Sequence, residues 1–250
     1  MRLKTVSSYK RFAEVYDQLM TDIPYEESAA WIMAYAPAND FPKLLDIGCG
    51  TGTMSMLLAQ AGYDVSAVDL SEEMLAIAAE RTQAMGLSIP FTAMSMSELQ
   101  GFSDFDVAII PIDSLNYVRE TKDVVKTFEG VFAALKAGGQ LFFDVHSTFK
   151  TDEIFMEGPF TFDEDGVNYV WHTDAGEAPH SVESAITFFV ETESGLYERF
   201  DEQHYQRTYL AQQYFQWLQE AGFTQIEVTA DFDHHDDLDE GERIFFRAVK

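Results

Sequence analysis

The stretch Leu44-Leu45-Asp46-Ile47-Gly48-Cys49-Gly50-Thr51-Gly52 limits what this chain can fold into more than any other. An apolar strand end runs into three glycines at alternate positions. That is more glycine than a turn needs, so a ligand is expected to lie against bare backbone there. Residues 54–61 then have the apolar density of a buried helix, with Gly62 as its stop. Strand, glycine loop and helix are expected in that order.

An alternating apolar strand over 64–69 ends in Asp69. That acid falls about 20 residues beyond the glycines, where a mononucleotide-binding βαβ unit places the carboxylate that takes ribose hydroxyls. Ser71 can cap the next helix, Glu72 and Glu73 suit its positive end, and Met74, Leu75, Ile77 and Ala78 supply its buried face. Further strands are expected over 89–93, 105–110 and 140–145, with a helix over 121–135 ended by Gly138-Gly139. Strands alternating with helices mean a parallel sheet wound right-handedly. Upstream, Phe12, Val15, Tyr16 and Leu19 mark an amphipathic helix, and a second spans 25–34.

After Ser147 the pattern changes. Two pairs of aromatic and β-branched runs flank Asp163-Glu164-Asp165-Gly166 and Thr192-Glu193-Ser194-Gly195, which predicts two hairpins in an added antiparallel sheet. The α/β rhythm resumes with Thr208 as a cap, a helix over 210–221, Gly222 as its stop, and strands over 225–230 and 244–249. The expected layout is an N-terminal helical cap over 1–40, an α/β core over 41–146 and 206–250, and an inserted β-hairpin subdomain over 147–205.

Charge narrows the partners. Forty-three acidic residues against 16 basic give a formal net charge of −27, a surface that repels polyanions. Neither nucleic acid nor an anionic membrane is expected as a partner. Cys49 is the sole cysteine, so no internal disulfide can form, and no stretch reads as a signal peptide or membrane span. A cytoplasmic protein is the expectation.

Asp46-x-Gly48-x-Gly50-x-Gly52, the acid Asp69, Phe105-Asp106-Val107, Leu135-Lys136-Ala137-Gly138-Gly139 and the late Trp217-Leu218-Gln219-Glu220-Ala221-Gly222-Phe223 occur in the order of the motifs of class I S-adenosylmethionine-dependent methyltransferases. The chain resembles that family over about 40–145 and again from about 208. The resemblance implies a Rossmann-like seven-stranded sheet of order 3-2-1-4-5-7-6, its last strand antiparallel, and S-adenosylmethionine as cofactor. It implies that Asp46, Gly48, Gly50 and Gly52 cradle the amino-acid tail and that Asp69 takes the ribose hydroxyls. Leu70, Met74, Pro111 and Asn116 complete the cofactor-binding candidates. Ser95 and Met96 fall at the adenine contact, where the family commonly has an acid in place of Ser95, and Met96 reads equally as core filling. Tyr9 and Tyr16 resemble positions that close over the cofactor in small-molecule members, or serve packing.

Methyl transfer needs alignment more than a dedicated residue, but an amine or hydroxyl acceptor calls for a base. The candidates are Asp113, Asn116 and Tyr117 after the fourth strand, and Asp144 and His146 at the end of the fifth. His146 is preferred because an unperturbed imidazole titrates near neutrality; the alternative is a histidine satisfied by a local hydrogen bond. Cys49 reads as a small residue in the loop, and no metal is expected, since His234-His235-Asp236-Asp237 lacks a ligand spacing. The expected function is methylation of a small-molecule acceptor, nitrogen preferred over oxygen, with the insert setting specificity. The insert's aromatic residues, with His172 and His180, read as pocket lining, as core, or as a homodimer contact. The competing readings are a nucleoside-binding regulatory module without transfer, and an NAD-dependent oxidoreductase.

Overall fold

The computed structural model describes residues 24–164, 166–192, 194–232, 238 and 241–250. The helix expected around Tyr16, with Tyr9, and the 234–237 loop lie outside these residues. In chain order the elements are α1 (Tyr25–Tyr35), β1 (Lys43–Ile47), α2 (Thr53–Gln60), β2 (Asp64–Asp69), α3 (Glu72–Ala84), β3 (Phe91–Ala93), β4 (Phe105–Ile110), α4 (Thr121–Ala134) and β5 (Leu135–His146). There follow α5 (Thr148–Asp152), β6 (Phe160–Glu164), β7 (Val167–Ala175), β8 (Ser181–Glu191), β9 (Tyr197–Arg207), α6 (Ala211–Ala221), β10 (Thr224–Ala230) and β11 (Arg243–Val249).

Seven strands form one sheet in the order β3-β2-β1-β4-β5-β11-β10. Pairing is parallel from β3 through β5, and β11 runs antiparallel to both β5 and β10. This is the Rossmann-like order that the resemblance implies. The central strands are apolar on both faces, as a sheet sandwiched between helices requires. Leu44, Val107, Ile109 and Phe142 pack with Ala29 and Ile32 of α1 and Met54 and Leu58 of α2. Their neighbours in sequence, Leu45, Ala108, Ile110 and Phe143, face the other way onto Phe128 and Val131 of α4 and Tyr214 and Leu218 of α6.

The insert is a four-stranded antiparallel sheet ordered β6-β7-β8-β9. Both expected hairpins are present, and β7 also pairs with β8 over nine residues, which makes the sheet continuous. Its last strand runs on to Arg207. Four local expectations are revised. The third strand begins at Phe91 because Pro90 has no N–H to give a ladder. The helix over 121–135 ends at Ala134, Leu135 being already extended, so Gly138 turns the start of β5 instead of capping a helix. Thr208 caps nothing: its hydroxyl donates to the His146 carbonyl at 2.5 Å, tying the insert's exit to the end of β5. Gln213 supplies the cap of α6 from inside the helix, accepting from the Leu210 N–H at 3.1 Å.

Gly222 ends α6 with φ +108, and a Cβ there would come 2.8 Å from the Phe132 ring. That ring packs edge-on against Phe223 at 5.1 Å. Gly222→Ala is therefore expected to cost about 1–3 kcal/mol, through both the left-handed backbone and the displaced ring. Urea unfolding checks this, with a lower midpoint at an unchanged m-value.

Candidate active site

The glycine loop leaves β1 at Asp46 and Ile47. Gly48 and Cys49 both donate to the Val68 carbonyl, at 2.8 and 3.1 Å, which folds the loop back over the end of β2. Gly48 has φ +76, and a Cβ on it would strike Ser114 Cβ at 2.9 Å, so only glycine fits. Gly50 faces open space, with nothing within 4 Å of a Cβ placed there. Gly52 does a different job from the one expected of it: it begins α2 and lets that turn approach Ala78 of α3, a Cβ distance of 3.1 Å. Arg81 of α3 donates to the Thr51 carbonyl at 3.1 Å and fastens the far side of the loop.

Two carboxylates frame this loop. Asp46 is fully buried; its Oδ2 accepts from Ser55 at 2.5 Å, and its Oδ1 has no partner. Burial raises its carboxyl most, the Ser55 hydrogen bond opposes this and the charge of Asp69 adds to it, giving a pKa of about 7. Asp69, at the end of β2, accepts from Gly50 N at 2.8 Å through Oδ2 and from Ser71 N at 2.9 Å through Oδ1. Each oxygen keeps a lone pair for a ligand. Leu70 beside it is 75% exposed, and Met74 is half-buried on α3, whose N-cap is Ser71 as expected. Ser95 and Ser97 pair at 3.0 Å, while the Met96 methyl would lie 3.3 Å from a Cβ on Gly48. The Cys49 thiol is pushed up, by burial first and then by Asp46 and Asp69, so it is no nucleophile.

Beyond β4 and buried Pro111 the chain takes an unusual path. Ile112 and Asp113 are both left-handed, at φ 54 and 46, and for a β-branched residue this is a true outlier. Asp144 compels it, taking Ile112 N at 2.7 Å and Asp113 N at 3.0 Å. Arg243 then closes the knot, donating to Asp144 through Nη1 and to Asp113 Oδ1 through Nη2 at 2.8 Å. The outcome is a 3-10 turn, Ser114–Tyr117, laid between the glycine loop and the insert. Ser114 donates to the Gly48 carbonyl at 3.2 Å, and Asn116 to the Arg207 carbonyl at 2.8 Å.

This geometry corrects three of the expected roles. Asn116 is fully buried, with its amide nitrogen on Arg207 and its oxygen on His146 N, so its side chain is committed to the scaffold. Asp113 is spent on Arg243, on Gln206 at 2.8 Å and on His146 Nε2 at 3.4 Å. Burial alone would raise its carboxyl, but His146 and Arg243, helped by Lys150, outweigh this and hold it well below the usual carboxylate range. It is an anchor and cannot serve as a base near neutrality. His146 is buried under Phe155, whose ring meets its own edge-on at 5.2 Å, and it faces Asp113 rather than an open cleft. Of the catalytic candidates only Tyr117, 46% exposed, stands in the open. Its hydroxyl lies 3.3 Å from His204 Nδ1 on β9.

Sequence reasoning passed over Ser55, Ser114, His204, Gln206 and Arg243. Ser114 lay inside the Asp113-to-Tyr117 stretch, and Arg243 one residue before the expected last strand. Nothing local marked His204, whose place depends on the pairing of the insert. Among the described residues no cluster of three or more metal-ligating side chains occurs.

Arg243→Met would strand two buried carboxylates, with an expected loss of about 3–5 kcal/mol. Because the folded pKa of Asp113 is depressed, its stabilisation is present above the ordinary carboxylate value and is lost only as pH falls through the lower folded value. In the variant, protonation relieves the stranded charge. The deficit in urea unfolding should thus be largest at pH 7–8 and shrink towards pH 5.

Comparison with known proteins agrees with this arrangement. Residues 44–139 match the family model of a methyltransferase domain. A protein of Geobacillus sp. (strain WCH70) named as a methyltransferase is 44% identical, covering 97% of this chain and all of that one. YqeM of Bacillus subtilis (strain 168), likewise named as a methyltransferase, is 41% identical over 97% of each chain. A solved S-adenosylmethionine-dependent methyltransferase from Clostridium acetobutylicum ATCC 824 superposes with TM-score 0.87 at 29% identity, covering 97% of this chain and 98% of that one. The chain belongs to the S-adenosylmethionine-dependent methyltransferases, and it is an enzyme that uses S-adenosylmethionine.

Proposed function

We propose that this enzyme methylates a small-molecule acceptor, nitrogen in preference to oxygen, with the donor seated on the glycine loop and the acceptor beneath the insert. The observation that carries the donor site is the partnerless, buried Oδ1 of Asp46 beside an otherwise satisfied loop. The loop N–H groups at 48, 49, 50 and 52 are all spent inside the protein, and residues 44–52 include no basic side chain. A pyrophosphate would find these loop donors already spent and would meet Asp46 and Asp69. That disfavours a dinucleotide. A cationic amine and a ribose fit the same groups: Asp46 holds the ammonium, Asp69 the ribose hydroxyls, and Leu70, Met74 and Met96 flank the base. Bound there, the donor supplies a methyl carbon already activated by sulfonium charge, so alignment and preorganised electrostatics carry most of the acceleration.

The small-acceptor part rests on charge and on the insert. A net charge of −27 opposes nucleic acid. Strand pairing puts Trp171, Ser184, His204 and Gln206 on one face of the insert, the face that meets the turn after β4. Trp171 Nε1 and Ser184 Oγ are both buried there without partners. Unspent polar atoms amid aromatic rings suit a compact polar metabolite.

Three measurements test this reading. Calorimetry should show S-adenosylmethionine and its demethylated product binding, and a nicotinamide dinucleotide failing to bind. Labelled donor should pass its methyl to the small-molecule fraction of a cell extract; transfer to purified tRNA or rRNA instead would refute the acceptor class. Asp69→Asn should weaken donor binding about tenfold or more, since it exchanges charge-assisted acceptance of the hydroxyls for a neutral one.

Asp46 adds a pH dependence. Its folded pKa is raised, so folding stability declines as pH rises from about 4 to about 7, where the buried carboxylate ionises. Binding a cation there needs the ionised form. Donor affinity should rise with pH up to about 7 and then level. Calorimetry in buffers of different ionisation enthalpy should register proton release below that point, and none in Asp46→Asn.

A further inference from the structure

We propose that Tyr117 and His204 form a proton-accepting dyad, reading out an acceptor whose nucleophile carries an exchangeable proton, an amine or a hydroxyl. The inference rests on the methyltransferase reading above and gives it a chemical step. Four observations converge on the pair.

First, position. The Ser114–Tyr117 turn is bolted to the glycine loop at one end, by Ser114 on the Gly48 carbonyl, and to the insert at the other, by Asn116 on the Arg207 carbonyl. Tyr117 ends that turn and is 46% exposed, whereas Asn116 and His146 are buried and Asp113 is held by Arg243 and Gln206. Second, contact. Tyr117 Oη lies 3.3 Å from His204 Nδ1, and the two rings meet edge-on at 6.0 Å. Third, rigidity. His204 stands in a ladder, opposite Ser184 in the register of β8 and β9, and Gln206 two residues on fastens the strand to Asp113. Fourth, charge. The groups facing the imidazole are Asp113 and Tyr117 from the turn and Glu202 from its own strand. Desolvation outweighs the two carboxylates and lowers the His204 pKa, so the ring is neutral at pH 7. The Tyr117 hydroxyl is itself raised, by desolvation and then by Asp113, so it carries a proton and works only through a partner.

With the His204 proton on Nε2, Nδ1 is free to accept. As the methyl leaves, the S–C bond breaks with its electron pair retained by sulfur, and the bond from carbon to the acceptor nitrogen or oxygen forms. The proton shed by that atom goes to Tyr117 Oη, and Tyr117's own proton goes to His204 Nδ1. The imidazolium returns its proton to solvent after turnover. Tyr117 touches the acceptor; His204 acts through it. An acceptor without such a proton, a thioether for example, gains nothing from this arrangement.

Four measurements decide it. Nitrogen-15 NMR of the imidazoles, in the full chain saturated with S-adenosylhomocysteine, should show His204 neutral at pH 7 with the proton on Nε2. An Nδ1–H tautomer, or an imidazolium at that pH, overturns the dyad. Transfer of labelled methyl to the small-molecule fraction of a cell extract should fall about a hundredfold in Tyr117→Phe and in His204→Asn, the double variant being no worse than either. Calorimetry should find S-adenosylhomocysteine bound within about twofold of wild type in all three, as expected of groups outside the donor site. The wild-type rate should rise with pH through a value lower than that of an unperturbed histidine, and His204→Asn should lack that limb. Wild-type transfer undiminished in the variants overturns the dyad alone. Donor binding with no wild-type transfer overturns the small-acceptor reading and the dyad with it.

Discussion

Two consecutive left-handed residues, Ile112 and Asp113, are the constraint on which the site depends. Each such backbone costs about 1–3 kcal/mol and persists only where its surroundings impose it. Here the imposing groups come from strands distant in sequence and adjacent in space. Asp144 on β5 takes both backbone N–H groups, and Arg243 on β11 pairs with Asp144 and Asp113 together. Were the turn to relax, Ser114 would leave the glycine loop and Tyr117 would leave the insert.

The same knot explains why the last strand runs antiparallel beside β5 in a useful register. Arg243 pairs directly with His146, which sets its guanidinium at the carboxyl end of the sheet, where ligands of open α/β folds bind. His146 and Thr208 then join the core to the insert's exit, through the bond from Thr208 to the His146 carbonyl. The charges fall into two sets. One is structural: Asp113 and Asp144 held by Arg243. The other, Asp46 and Asp69 at the glycine loop, is met by Ser55 Oγ and by the Gly50 and Ser71 N–H groups, all neutral donors, and suits a cationic ligand.

Much of the fold was legible because its signals are local. An alternating apolar run gave β2 and a β-branched, continuously apolar run gave β4, both to the residue, and acidic glycine turns gave both hairpins. Asp46, Gly48, Gly50 and Asp69 were legible for the same reason: a glycine loop and a strand-end acid about 20 residues apart need no tertiary knowledge to recognise. What failed was any role that depends on which strand lies beside which. His146 looked like a base because histidine titrates near neutrality, yet burial under Phe155 and the pairing with Asp113 give it to the scaffold. Asn116 looked like a ligand contact because it follows a strand end, but both halves of its amide serve backbone far away in sequence. His204 was invisible because a polar strand of an insert says nothing about the surface it faces until the sheet is docked.

The account is tested most directly by a crystal structure of the enzyme with S-adenosylhomocysteine. It should show the amino-acid tail against Asp46 and Gly48, the ribose hydroxyls on Asp69, the thioether sulfur towards Tyr117, and Ile112 and Asp113 still left-handed. A nucleoside bound away from Asp69, or a turn at 112–113 relaxed to the right-handed region with the ligand in place, would contradict it.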